Sequence, residues 1–278
     1  MFRSFTGDRY PIIIPSSFNG YKIIKPIGNG QFSVTALVEI KDTKQQFCAK
    51  IISKRDMANK QKTHLIENEV NILQSIHHPN IIKFYEAFNL ENEFGEEFII
   101  IITEYCPNGD LLDFICQNDF QDEIEMKKIL YEILKAIQYI HQIGIYHCDI
   151  KPENILLDYQ MRPKLCDFGN AKTHIMSNNN DNICTLNYSP PEYFKHDNFN
   201  LVKSDIYSLG ITLYAISKKD FPFDCEDDRY IAYQIKNGYL SLNPDDEIQY
   251  IVGQCTKFNP DDRISIDELL NFSYFNFN

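Results

Sequence analysis

Ten consecutive residues, Ile145-Tyr146-His147-Cys148-Asp149-Ile150-Lys151-Pro152-Glu153-Asn154, bring a carboxylate, an amine and a carboxamide within six positions. Asp149 can accept a proton from a hydroxyl nucleophile, Lys151 can neutralise phosphate charge, and the amide oxygen of Asn154 can coordinate a hard cation. Thirteen residues beyond Asn154 a second carboxylate sits on a glycine turn, Asp167-Phe168-Gly169. Together these are the parts of a metal-assisted phosphoryl transfer. An isolated Asp-x-Lys is usually a solvated surface pair, but that reading does not account for both stretches in this order and spacing.

Such groups must be held in place by regular elements. Met126, Leu130, Ile133, Ile137 and Ile140 recur every three or four residues, which predicts a helix from Asp122 to Gln142 stopped by Gly144. It leads into the chemical loop, and the apolar run Ile155-Leu156-Leu157 predicts a strand after it. Near the start, Tyr21 to Ile40 reads as strand, glycine turn and strand, with Gly28-Asn29-Gly30-Gln31-Phe32-Ser33 as the turn. Glycine lets backbone approach phosphate closely. A strand rather than a helix after the turn argues against a dinucleotide-binding fingerprint. Lys50 interrupts the apolar strand Gln46 to Ile52 and needs a partner there, unless it snorkels from a sheet edge. The next helix, Gln61 to Ser75, offers Glu69 among Leu65, Ile66, Val70, Ile72 and Leu73; Glu67 lies on a different face. His77 and His78 read as capping and turn residues, since no ligand recurs at metal spacing. Asn89 to Glu97 reads as a polar turn, Phe98 to Thr103 as a buried strand, and Glu104 to Asp110 as an abrupt break. Residues 1–20 read as an irregular lead-in that packs on the domain as a plain extension, with a regulatory tail as the alternative.

The pattern His147-x-Asp149-x-Lys151-Pro152-Glu153-Asn154 followed by Asp167-Phe168-Gly169 resembles the catalytic and metal loops of eukaryotic protein kinases. The resemblance extends over roughly residues 21–276. It implies an α+β, bilobal fold, with a small antiparallel β-sheet lobe carrying one key helix and a larger, mainly α-helical lobe. The implied division is an extension (1–20), an N-terminal lobe (21–103), a hinge (104–110) and a C-terminal lobe (111–278). It also implies a serine/threonine protein kinase that uses ATP and Mg2+, nearest the calcium/calmodulin-dependent and AMP-activated group. Asp149 would accept the substrate proton, Lys151 would stabilise the γ-phosphate, and Thr185 would bond to both. Lys50, held by Glu69, would bind the α and β phosphates. Asn154 and Asp167 would carry the metal. Ile27, Gly28, Gly30, Ser33, Thr35, Cys48, Lys50, Leu156 and the backbone of Glu104 and Cys106 would enclose the nucleotide. Leu73, Phe84, His147 and Phe168 match the stacked apolar spine of the active state. Glu192, at the end of Cys184 to Glu192, would pair with Arg263. Asp205 would open the central helix of the larger lobe. Asp110 and Glu153 match positions that contact an arginine upstream of the acceptor.

Some positions depart from the family pattern. Ser33 replaces the third glycine of the turn, and Thr35 replaces the valine over the adenine. Cys148 replaces the arginine that gathers a phosphorylated activation loop. The implied enzyme therefore works without activation-loop phosphorylation. The alternatives are a pseudokinase scaffold, an allosteric ATP-binding module, or a small-molecule phosphotransferase of related fold. With Lys+Arg 27 and Asp+Glu 39 the net charge is −12, which disfavours non-specific nucleic-acid or anionic-membrane binding and suits basic peptides. The expected partners are protein substrates with Ser/Thr acceptors. Eight scattered cysteines without CxxC pairs make zinc improbable, and with no secretory signal they fit an intracellular, cytoplasmic protein, with the nucleus left open.

Overall fold

The computed structural model describes residues 2–4, 12–30, 33–55, 63–117, 123–173, 185–195, 200–223 and 227–275. The chain divides into two compact units. One comprises Met1–His77 with Ile82–Pro107; the other comprises His78–Ile81 with Asn108–Asn278.

The first unit is built on a six-stranded antiparallel sheet. Its strands are β3 (Ser17–Phe18), β4 (Tyr21–Asn29), β5 (Ser33–Ile40), β6 (Gln46–Ser53), β7 (Phe84–Glu91) and β8 (Glu97–Glu104), in the order β3-β4-β5-β6-β8-β7. Alternation along β6 assigns its faces: Phe47, Ala49 and Ile51 enter the core, with Val34, Ala36, Val38, Ile100 and Ile102 from neighbouring strands. Cys48 and Lys50 therefore point to the other side. Helix α1 (Thr63–Ser75) buries Ile66, Ile72 and Leu73, and Glu69 along with them.

The described part of residues 1–20 is more regular than the lead-in expected from its composition, and its last residues pack on the domain. Strand β1 (Phe2–Ser4) pairs antiparallel with β2 (Ile12–Ile14), and β3 adds an edge to the main sheet. Ile14 and Phe18 are buried in the sheet core beside Tyr21 and Phe47, so this stretch completes the core. The polar turn is also shorter than its composition suggests, because β7 runs to Glu91. Asn92 then makes the turn, its Oδ1 accepting from the backbone N–H groups of Phe94 and Glu96 at 2.9 Å each.

The second unit is mainly helical: α2 (Leu111–Gln117), α3 (Glu123–Gln142), α4 (Leu201–Lys218), α5 (Asp228–Asn237), α6 (Glu247–Cys255) and α7 (Ile266–Leu270). Helix α4 begins four residues before Asp205, where Asn200 accepts a bond from the Lys203 N–H. It is buried around nearly its whole circumference, which makes it the post on which the unit is assembled. Gly210 on α4 is a point of closest approach, since a Cβ there would lie 2.6 Å from the Cβ of Cys255. Two short antiparallel pairs complete the unit: β9 (Ile145–Tyr146) with β12 (Lys172–Thr173), and β10 (Ile155–Leu157) with β11 (Pro163–Leu165). His78 acts as a turn residue, its Nδ1 accepting from the Asn80 N–H at 3.1 Å. Among the described residues, no helix is long and apolar enough to cross a membrane.

Candidate active site

The residues between β9 and β10 form the chemical loop of the second unit, and α4 fixes its start. Asp205 is 1% exposed, and its carboxylate accepts from the backbone N–H groups of His147 and Cys148 at 2.8 Å each. Nε2 of His141, in the last turn of α3, lies 2.9 Å from the same carboxylate. Three donors offset the cost of burying this charge. They also hold Cys148 at φ 62°, a left-handed conformation that non-glycine residues adopt only when their surroundings impose it. His147 is fully buried and bridges the next step. Its Nδ1 accepts from the Asp149 N–H at 3.3 Å, so the ring proton sits on Nε2 and is donated to the Cys166 carbonyl at 2.9 Å.

Four polar side chains then close on one another. Thr185 donates to Asp149 Oδ1 at 3.0 Å, and Lys151 donates to Thr185 Oγ1 at 2.7 Å. Lys151 Nζ also lies 2.9 Å from Asp149 Oδ2. Asn154 Nδ2 donates to the Asp149 carbonyl at 2.8 Å and to its Oδ2 at 3.1 Å. Both of those bonds use the nitrogen of Asn154 and leave its amide oxygen as an acceptor for a cation. The Cys166 N–H donates to the Asn154 carbonyl at 2.9 Å, so the loop carrying Asp167 is tied directly beside Asn154. Asp167 itself is exposed, with φ 62°. Phe168 is buried with its ring 4.9 Å from that of His147.

In the first unit, Lys50 meets both carboxylate oxygens of Glu69, at 2.7 and 2.9 Å. Glu67 is exposed. Gly28 pairs with Thr35 across the β4–β5 hairpin, and the Gly30 N–H donates to the Ser33 carbonyl at 2.8 Å. A Cβ on Gly30 would come within 2.6 Å of Ser33 Oγ, so a side chain there would require the Ser33 hydroxyl to rotate away. Ile27 is 39% exposed. Cys48 pairs with Thr103, and burial pushes its thiol up to about 11, so it stays a neutral, apolar surface. At the end of β8 the Glu104 N–H donates to Lys83 O at 2.9 Å, and Glu104 Oε1 accepts from the Lys83 N–H at 2.7 Å. Cys106 is buried two residues later. Leu156 belongs to the second unit, where it bridges Asp110.

Glu192 and Arg263 form a buried bidentate pair, with both N···O distances at 2.6 Å. Asp110 has a structural task, because its carboxylate accepts from the Asp113 N–H at 2.8 Å and caps α2. Gln31, Phe32, Cys184 and the polar tract Ser177 to Asn182 lie outside the described residues.

A family profile described as protein kinase domain matches residues 21–275. The chain belongs to the protein kinase family. It is 32% identical over 280 residues to the serine/threonine-protein kinase cds1 of Schizosaccharomyces pombe, covering 95% of this chain and 60% of the relative. It is also 32% identical over 260 residues to the carbon catabolite-derepressing protein kinase of Saccharomyces cerevisiae, covering 92% of this chain and 40% of the relative. Over 207 residues it is 34% identical to the serine/threonine-protein kinase SIK1 of Rattus norvegicus, covering 73% of this chain and 26% of the relative. The chain thus spans 60% or less of each of these relatives. The kinase fold has two lobes; the sheet-based unit with α1 is the β-sheet lobe, and the α4-centred unit is the helical one.

A kinase domain uses ATP and a divalent metal, and the donor set suits both. Among the described residues, no group of three or more His, Cys, Asp or Glu could hold a metal alone. One carboxylate from Asp167 and one amide oxygen from Asn154 would leave most of a hard divalent cation's coordination to phosphate oxygens and water.

Three elements of this site were not assigned roles by sequence reasoning. They are the Asp205 clamp, its side-chain donor His141, and the Ser208 hydroxyl, which donates to the Tyr188 carbonyl at 2.8 Å. A signal was present, because Asp205 and Ser208 lie in the mostly apolar, buried middle of the helix.

Proposed function

We propose that this kinase domain transfers the γ-phosphoryl group of Mg-ATP to serine or threonine hydroxyls of proteins. The closed set Asp149–Lys151–Thr185–Asn154 carries the proposal. It holds a carboxylate oxygen and an ammonium 2.9 Å apart, with a threonine hydroxyl already bonded to both. An acceptor hydroxyl reaching Asp149 can give up its proton there, while Lys151 faces the charge that develops on phosphate oxygens. Asn154 and Asp167 would hold Mg2+, which supplies charge neutralisation when bound. Lys50, fixed by Glu69, would orient the α and β phosphates. The names of the relatives agree with a Ser/Thr acceptor. Incubation with Mg-ATP and a generic basic protein tests the proposal. Nucleotide binding without transfer by the unmodified chain would favour the scaffold reading instead.

The activity is independent of activation-loop phosphorylation in this reading. Cys148 offers no guanidinium, and its Sγ instead reaches the Tyr146 carbonyl at 3.6 Å. The loop geometry is imposed by the buried Asp205, which needs no phosphate. Phosphatase-treated enzyme should keep its rate within about threefold; a drop of about tenfold or more would refute this.

Glu153 also favours acceptors preceded by arginine or lysine. It is partly buried and accepts at 3.5 Å from the hydroxyl of Tyr188, within the segment that begins at Thr185. Asp110 contributes less, because it already caps α2. In a peptide array, basic residues upstream of the acceptor should raise phosphorylation, and Glu153→Gln should weaken that preference. A flat array would remove it.

A further inference from the structure

Helix α5 packs against the turns Leu186–Tyr188 and Pro191–Lys195, which follow Thr185, and presents an aromatic surface on its outer side. Tyr230, Tyr233 and Tyr239 are 49%, 52% and 57% exposed. Tyr230 stacks on Tyr233 at 5.9 Å, and Tyr233 meets Tyr239 at 6.3 Å, so the three rings form one continuous strip. Among the described residues, their hydroxyls and ring faces meet no polar or cationic partner. Elsewhere on this chain lysines lie over aromatic faces, at Tyr85, Tyr131 and Tyr274, with ammonium–centroid distances of 4.8, 5.4 and 4.3 Å. The cations of α5 itself have other partners: Arg229 pairs with Asp227 at 3.4 Å, and Lys236 covers Phe194 at 5.0 Å. Exposed Asp228 opens the helix, and the whole chain carries a net charge of −12.

We propose that the tyrosine strip of α5 docks a Lys/Arg-rich segment of the protein substrate, apart from the segment that bears the acceptor hydroxyl. The proposal rests on the protein-kinase reading above and names a recognition surface for it. Linked exposed aromatics mark interaction surfaces, and tyrosine carries binding energy well because little side-chain freedom is lost on contact. Three exposed rings near Asp228, on a chain of net charge −12, attract cationic side chains through their faces and through the negative field of the whole molecule. A segment held there raises the local concentration of the acceptor at Asp149, which lowers KM rather than raising kcat.

Two measurements on the full chain separate this proposal from the catalytic one. The first is fluorescence anisotropy of a labelled peptide alternating Lys or Arg with Gly and Ala, lacking any acceptor. It reads docking whether or not phosphate is transferred. The peptide should bind, and the combined Tyr230→Ala, Tyr233→Ala and Tyr239→Ala variant should weaken binding about tenfold or more. The three Tyr→Phe changes should preserve most of it, since the ring faces remain. The second compares a short acceptor peptide with the same peptide extended by the basic segment. The extension should lower KM in the parent, and the triple alanine variant should lose that gain while keeping its kcat on the short peptide. Equal binding by parent and triple variant would overturn the proposal. So would equal binding of a proline-rich or acidic control peptide, or masking of the strip by self-association seen in sedimentation.

Discussion

Replacing Asp149 with asparagine will lower phosphate transfer to a basic protein by about 10²–10⁴-fold, while the variant folds and binds ATP as the parent does. The loss follows from the bonds that Asp149 makes. Its Oδ2 faces two donors, Lys151 Nζ at 2.9 Å and Asn154 Nδ2 at 3.1 Å, so an amide at this position must keep its oxygen on that side. The new NH2 group then faces Thr185 Oγ1 and any incoming hydroxyl, which it can only donate to. The oxygen that would accept the proton in the proposed transfer is lost. The backbone is spared, because Asp205 holds His147 and Cys148, and Asn154 holds the Asp149 carbonyl, all through main-chain atoms. Initial rates with saturating Mg-ATP, the KM for ATP and a melting curve are sufficient measurements. A rate within about tenfold of the parent would mean that Asp149 is not the base.

Much of this site was readable because its members are close in sequence or announce a missing partner. Asp149, Lys151 and Asn154 lie within six positions, so their spacing alone carries their chemistry. Lys50 and Glu69 each put a charge into an apolar pattern, and opposite charges invite pairing. Asp205 gives the same kind of signal, yet it finds its partners in two backbone N–H groups and a histidine, and no complementary charge advertises those. Backbone partners leave no trace in side-chain identity. The first twenty residues hid their strands for a related reason. Phe2 pairs with Ile14 across a long connection, and strands of three residues are too short to show alternation. Strand β7 outran its apolar stretch because it lies at the sheet edge, where polar side chains face solvent at little cost. Asp110 shows the opposite case, in which a residue matching a recognition position spends its carboxylate on a helix cap.

Removing either partner of the Glu192–Arg263 pair will cost the helical lobe about 3–5 kcal/mol. The Arg263 side chain has no exposed surface, and its donors are distributed among five acceptor atoms. Both oxygens of Glu192 take bonds at 2.6 Å, Lys203 O takes one at 2.8 Å, Lys257 O one at 2.9 Å, and Phe258 O a longer one at 3.5 Å. The guanidinium also lies 5.0 Å from the ring centre of buried Tyr207. Arg263→Ala therefore strands a buried carboxylate and several carbonyls together, which is why this loss exceeds that of an exposed ion pair. Arg263→Lys will not rescue it, because an ammonium cannot reproduce the planar fork. Glu192→Gln should lose less than Glu192→Ala, since an amide oxygen still accepts one of the two short bonds. The double variant should fall short of the sum of the single ones, because each single change already abolishes the shared interaction. For a chain of this size the single losses correspond to a drop of about 10 °C in Tm. Melting points within about 2 °C of the parent for both single variants would show that the pair is expendable. Activity should decline along with stability. Glu192 ends the segment that begins at Thr185, and the Tyr188 carbonyl in that segment hangs on Ser208 of α4, so loosening one end releases the hydroxyl bonded to Asp149 at the other.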